Sequence, residues 1–142
     1  MNEILQFKDE YLFLSNFYPS PITWNKITFP TVEHCYQARK SNNISVWLTF
    51  SLYDTPGRAK KQGRKIDAIR KDWEEVKIEV MRECLELKFQ DPILKQKLLD
   101  TGDSVLEEGN WWGDRFWGVD NKTREGRNEL GNLLMELRNK LK

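Results

Sequence analysis

The sequence predicts a mainly α fold, one domain spanning residues 1–142, with a small β element near the N-terminus. Three observations carry this. Trp73, Val76, Val80, Cys84 and Leu87 recur at three- and four-residue spacing, which draws one apolar stripe along a helix over 72–89. Leu130, Leu133, Leu134, Leu137 and Leu141 draw a second such stripe near the C-terminus. Before residue 30, by contrast, the apolar runs are short and broken by turn residues.

Ile4-Leu5-Gln6-Phe7 is a short apolar run, and residues 15–20 with Pro21 form a turn-rich loop. Ile22-Thr23-Trp24 and Ile27-Thr28-Phe29 flank Asn25-Lys26, a tight hairpin in which Lys stands where Gly is preferred. Pro30-Thr31 opens a helix from Val32 to about Lys40, and residues 44–52 form a second. Thr55 as N-cap and Pro56 at the first helical position start a short helix that stops near Gly63. Asp91-Pro92 starts another, through Leu99. Thr101-Gly102-Asp103 is a turn, Val105-Leu106-Glu107 a strand, and residues 110–119 a loop dense in Trp111, Trp112, Phe116 and Trp117.

The chain has 23 Lys plus Arg against 22 Asp plus Glu, a net charge of +1, which speaks against a general nucleic-acid binder or a polybasic membrane anchor. Six Trp and 12% aromatics are enough to fill a core. No apolar run reaches the roughly 18 residues that cross a bilayer, and the N-terminus has no signal-peptide pattern, so a cytoplasmic protein is expected. Cys35 and Cys84 have no metal-ligand spacing, and there is one histidine, so no metal or cofactor is expected. The two thiols read as reduced packing residues.

Four segments carry polar groups suited to chemistry. Glu33, Gln37 and Lys40 stand at i, i+4 and i+7 of a helix, on one face, with Glu33 in the first turn where the dipole favours a carboxylate. They line a polar pocket or form a solvated face. Residues 107–118 place Glu107, Glu108 and Asp114 among glycines and tryptophans; this is a ligand loop with aromatic faces for a planar base, or a loop pinned to the core by its indoles. Residues 55–65 hold five basic side chains and read as an exposed basic helix, with a helix N-terminus suited to phosphate as the other reading. Asn128 either caps the last helix or reaches a ligand, and Gly131 reads as a close-packing position. Together these suggest a pocket for a phosphorylated, base-bearing small molecule, without fixing a reaction.

Several segments match a known family in order: residues 13–18 (Phe-Leu-Ser-Asn-Phe-Tyr), then Phe29-Pro30-Thr31-Val32-Glu33-His34 with Gln37 and Lys40, Ala59-Lys60 with Gly63-Arg64, the helix from Trp73 to Met81, Lys88-Phe89, residues 99–102, Asp114 with Phe116-Trp117-Gly118, and residues 126–138. Over nearly its whole length the chain resembles the YbiA-like, or NADAR (NAD and ADP-ribose), superfamily. The resemblance implies a mainly helical fold and an N-glycosidase that needs no metal. Its substrate would be an early riboflavin-pathway intermediate, cleaved between ribose 5-phosphate and the aminopyrimidine. Other members imply two alternatives: removal of ADP-ribose from guanine in nucleic acid, and ADP-ribose or NAD binding without turnover. The oligomeric state is left open.

By position, the resemblance makes Glu33 the charge stabiliser or base for water, Asp114 its partner acid, and Trp73 or Trp117 the stacking indole. Lys40 or Lys60 would be the pocket lysine, and a lysine forming a Schiff base with C1 is the competing mechanism. Lys60 and Arg64, with Ser15 and Asn16, would hold phosphate. Phe17, His34, Gln37, Gly63, Glu107, Gly118 and Asn128 complete the expected substrate-binding set. Trp111-Trp112 departs from the family pattern and bears on substrate choice.

Overall fold

The computed structural model describes residues 2–142. The elements run β1 (Glu3–Ile4), a 3-10 turn (Asp9–Leu14), β2 (Ile22–Trp24), β3 (Ile27–Phe29), α1 (Val32–Ala38), α2 (Ile44–Ser51), α3 (Pro56–Gly63), α4 (Trp73–Lys88), α5 (Pro92–Asp100), β4 (Val105–Leu106), β5 (Gly109–Asn110), β6 (Val119–Asp120) and α6 (Glu129–Leu141). The fold is mainly α, with few and short strands, as the periodicity predicts. Contacts divide the chain into two units, one of residues 16–88 and one of residues 1–15 with 89–142.

In the 16–88 unit, helix starts follow from their caps. Thr31, Asn43 and Thr55 each accept a backbone N–H of the first turn, and Pro56 sits at the head of α3. β2 and β3 pair antiparallel, Ile22 with Phe29 and Trp24 with Ile27. The turn residues Asn25 and Lys26 have φ of 52° and 66°, the two left-handed positions of a type I′ turn. Lysine holds that conformation against its own Cβ. Lys26→Gly is expected to stabilise the protein by about 0.5–1 kcal/mol, the relieved strain being partly offset by a freer unfolded chain. Denaturant midpoints of the two proteins read this directly, and an equal or lower midpoint for the glycine variant refutes it.

Every residue of α1 is buried, polar ones included, because α2, α3, α4 and the hairpin all pack on it. A solvated face for Glu33 and Gln37 is therefore ruled out. Arg39, just past α1, lies over the Trp24 ring at 4.4 Å and bonds Glu83 of α4 at 2.7 Å, so one buried guanidinium ties hairpin, α1 and α4. The buried face of α4 is Trp73, Val80, Met81, Cys84, Leu85 and Lys88. It is rotated from the predicted stripe, and Val76 and Leu87 are only half-buried. Cys35 and Cys84 are free, buried thiols. A hydrogen bond to Cys84, then burial, holds the Cys35 thiol well above its ordinary pKa, which leaves it inert as packing residues are.

In the other unit, β1 pairs parallel with β4, Glu3 with Val105 and Ile4 with Leu106. α6 packs on β4 through Leu130, Leu133, Leu134 and Leu137. Gly131 is a close-packing position as expected: a side chain there would overlap the Leu106 carbonyl and the Asn128 amide.

Candidate active site

Glu33 lies in the first turn of α1, 7% exposed, and its backbone N–H donates to the Asn16 carbonyl at 3.1 Å. Its Oε2 accepts from Gln37 Nε2 at 2.7 Å, the i, i+4 pairing the spacing predicts. Burial of a carboxylate is costly without such donors. Lys40, seven residues on and just past the end of α1, feels Glu33, Arg64, Lys77 and Glu74; burial lowers its pKa while Glu33 opposes that shift. A partly desolvated amine just past this helix is therefore coupled to the Glu33 carboxylate, with Arg64 at the end of α3 and Lys77 of α4 acting on it as well.

Asn16-Phe17-Tyr18 forms a strap across these helices. Asn16 Nδ2 lies 3.5 Å from Met81 Sδ, and the buried Asn16 Oδ1 has no partner. Lys60 Nζ stands 5.9 Å from the Phe17 ring and Lys88 Nζ 5.7 Å from the Tyr18 ring. The backbone N–H of Ser15, which belongs to the other unit, donates to Leu12. Arg64 is exposed at the end of α3. Gly63, the last residue of α3, lies against the Gln37 side chain.

His34 has both ring nitrogens engaged. Nδ1 is 2.8 Å from the Thr31 hydroxyl and Nε2 is 3.0 Å from the Tyr53 carbonyl. Since Thr31 Oγ1 also accepts the His34 backbone N–H, its proton serves Nδ1, and Nε2–H donates to Tyr53. That is the neutral imidazole, and burial lowers the His34 pKa accordingly. The Trp73 indole is buried and packs at 5.1 Å on Tyr36 of α1.

The remaining predicted residues lie in the other unit. Asp114 Oδ1 accepts the N–H groups of Phe116 (3.1 Å) and Trp117 (2.9 Å), and its backbone closes on the Asn110 amide in both directions. The carboxylate thereby shapes the loop that carries Trp117, whose ring stands edge-on to Phe116 at 4.9 Å. Trp111 and Trp112 are 72% and 61% exposed, so this loop is not pinned to the core by that pair. Glu107 grips Arg124 with both oxygens, and Arg124 also bonds Glu3. Gly118 is buried, and its carbonyl accepts the Asn128 N–H. Asn128, at φ 52°, makes no side-chain cap; its amide accepts from Glu108 N–H at 3.0 Å and donates to the Leu106 carbonyl at 2.8 Å. It is a clasp on the β4–β5 segment.

The residue pattern alone gives Lys88 no role, yet it is buried, and desolvation brings its pKa down to about 7. Its place four residues after Cys84 is the signal that puts it on the buried face. Among the described residues no group of three His, Cys, Asp or Glu is arranged to hold a metal ion, and no helix is long and apolar enough to cross a membrane.

An amide-held buried carboxylate coupled to a lysine whose pKa burial lowers is a set of groups able to do acid–base chemistry. The NADAR domain family model matches residues 5–142, and the chain belongs to that family. It is 39% identical over 135 residues to the N-glycosidase YbiA of Escherichia coli, covering 94% of this chain and 83% of that one. It is 38% identical over 131 residues to a riboflavin biosynthesis protein of Vibrio vulnificus, covering 91% of this chain but only 35% of that longer protein. The NMR structure of the E. coli protein YbiA superposes with a TM-score of 0.84 at 34% identity, over 99% of this chain and 89% of that one.

Proposed function

We propose that this chain is a hydrolase of N-glycosyl compounds that cleaves the C1–N bond between ribose 5-phosphate and the aminopyrimidine of early riboflavin-pathway intermediates. The observation that carries the reading is the buried Glu33 carboxylate, fixed by Gln37 at 2.7 Å and flanked by Lys40. The names of the relatives, an N-glycosidase and a riboflavin biosynthesis protein, point the same way.

Breaking the bond sends its electron pair to the departing nitrogen and leaves positive charge on C1 and the ring oxygen. Glu33, a buried carboxylate, stabilises that charge, then draws a proton from the water that adds to C1. The departing amine needs a proton, which a general acid must supply. Lys60 and Arg64 offer charge for the phosphate, with Asn16 as a further polar partner. Trp73 supports α1 through Tyr36. The substrate is thus a phosphorylated, nucleotide-like small molecule. The two reduced, buried thiols fit the cytoplasm as its compartment.

The test is incubation with the aminopyrimidine ribosylamine phosphate, reading release of ribose 5-phosphate, beside an ADP-ribosylated guanine oligonucleotide and an ADP-ribose titration. Release of ribose 5-phosphate is expected. Release of ADP-ribose alone, or tight ADP-ribose binding with no hydrolysis, overturns the reading. In the same assay, borohydride trapping of an adduct on Lys40 would replace direct water attack by a Schiff-base route.

A further inference from the structure

The Gln37 amide that donates to Glu33 lies against a residue of another helix. Gln37 is 6% exposed, and its Oε1 is buried without a hydrogen-bond partner. That oxygen abuts Gly63 at the end of α3. A Cβ built on Gly63 would overlap Oε1, stand 2.6 Å from the Gln37 Cδ and 3.2 Å from its Cβ. The overlap is with the far end of a flexible side chain and not with backbone. Gly63 does not sit in the left-handed region, so alanine suits its backbone. A methyl group there has to displace the amide, while the 3.2 Å contact with the Gln37 Cβ asks for a shift of only a few tenths of an ångström.

We infer that Gly63 is a positioning residue: the space left by its missing side chain holds the Gln37 amide against the Glu33 carboxylate and so fixes the orientation and ionisation of that carboxylate. The inference rests on the reading of Glu33 as the charge-stabilising group of the reaction. The physics has two links. A donor at 2.7 Å favours the charged form of a buried carboxylate, so losing it raises the titration midpoint of Glu33. The same donor removes rotational freedom from the carboxylate, so losing it misaligns the group in the transition state. The charged and titratable groups around this helix include His34 and Cys35 on it, Lys40 and the Arg39–Glu83 pair just past it, Arg64 at the end of α3, Lys77, Glu74 and Cys84 of α4, and Asp54 beyond α2. All of them are unchanged in the variants below, so they form a constant background.

The experiment is a double-mutant cycle of Gly63→Ala and Gln37→Ala, with kcat, KM, melting temperature and the pH titration of the Glu33 side-chain carbon by NMR as readouts. Gly63→Ala is expected to lower kcat roughly 10–100-fold with little change in KM or melting temperature, and to move the Glu33 midpoint upward. In the Gln37→Ala background, where only the 3.2 Å contact with the residue-37 Cβ is left, the same substitution is expected to change both quantities far less than it does in the wild type. Additive effects of the two substitutions, or an unmoved Glu33 midpoint in Gly63→Ala, overturn the inference. Should Gly63→Ala fail to fold, the double variant is expected to fold, and its failure too would overturn it. The NMR titration needs no turnover. A shifted midpoint in a protein that cleaves no N-glycoside therefore rejects the role of Glu33 while keeping the Gly63–Gln37 relay. Full activity with an unshifted midpoint rejects the relay alone.

Discussion

Glu33→Gln is expected to lower kcat by roughly 10²–10⁴-fold while the protein stays folded, the range over which a single acid–base or charge-stabilising group acts. The two side chains have the same shape, and the new amide oxygen still accepts from Gln37 Nε2, so the contact seen at 2.7 Å survives. Only the charge is lost. KM is expected to change little, because the charge at C1 develops in the transition state and not in the bound substrate. Lys40 loses the neighbour that raises its pKa, so its titration falls further, which gives a control that the charge has gone. Ribose 5-phosphate release measured under single-turnover conditions isolates the bond-breaking step. Near-normal rates in this variant would remove Glu33 from the mechanism.

Lys88→Met is expected to stabilise the protein at neutral pH and to flatten a rise of stability toward alkaline pH. Lys88 is 2% exposed at the end of α4, and desolvation depresses its pKa from 10.5 to about 7. The sign follows from proton counting. Below pH 7 the side chain is charged in both folded and unfolded chains, and the folded chain bears the whole penalty of a buried charge. Between about pH 7 and 10.5 the folded chain has released its proton while the unfolded chain still holds it, so stability climbs across that window, by at most ~1.4 kcal/mol per pH unit. Methionine has a similar length and no charge to desolvate, so the gain at pH 7 should reach a few kcal/mol. Guanidinium unfolding of both proteins at pH 7 and pH 9 measures it. Parallel pH dependences for wild type and variant would show that the buried amine costs nothing.

Much of the framework was legible from residue order because it is written in short-range chemistry. Thr31, Thr55-Pro56 and Asp91-Pro92 announce their helices by caps that depend on three or four residues. The Ile22–Phe29 hairpin follows from a two-residue turn and alternating strands. The 3-10 turn at Asp9–Leu14 and the two-residue strands β5 and β6 were not legible, since short elements of this kind have no period and exist through pairing with distant backbone. The complete burial of α1 was hidden for a related reason: a helix reading Val-Glu-His-Cys-Tyr-Gln-Ala has the look of a surface, and only the elements packed around it make it an interior. Of the candidate residues, Glu33 and Gln37 meet as their spacing requires. His34 and Asn128 satisfy neighbouring main chain instead, through bonds to Tyr53, Leu106 and Glu108 that no local pattern reveals.

The unit that contains Glu33 is continuous in sequence, whereas its companion is assembled from both ends of the chain. During synthesis, residues 16–88 emerge complete from the ribosome while Ile4 still waits for Leu106, the partner its strand requires. A chain stalled before that point carries an N-terminal strand with open amides, so a segment made some hundred residues later decides when the first strand settles.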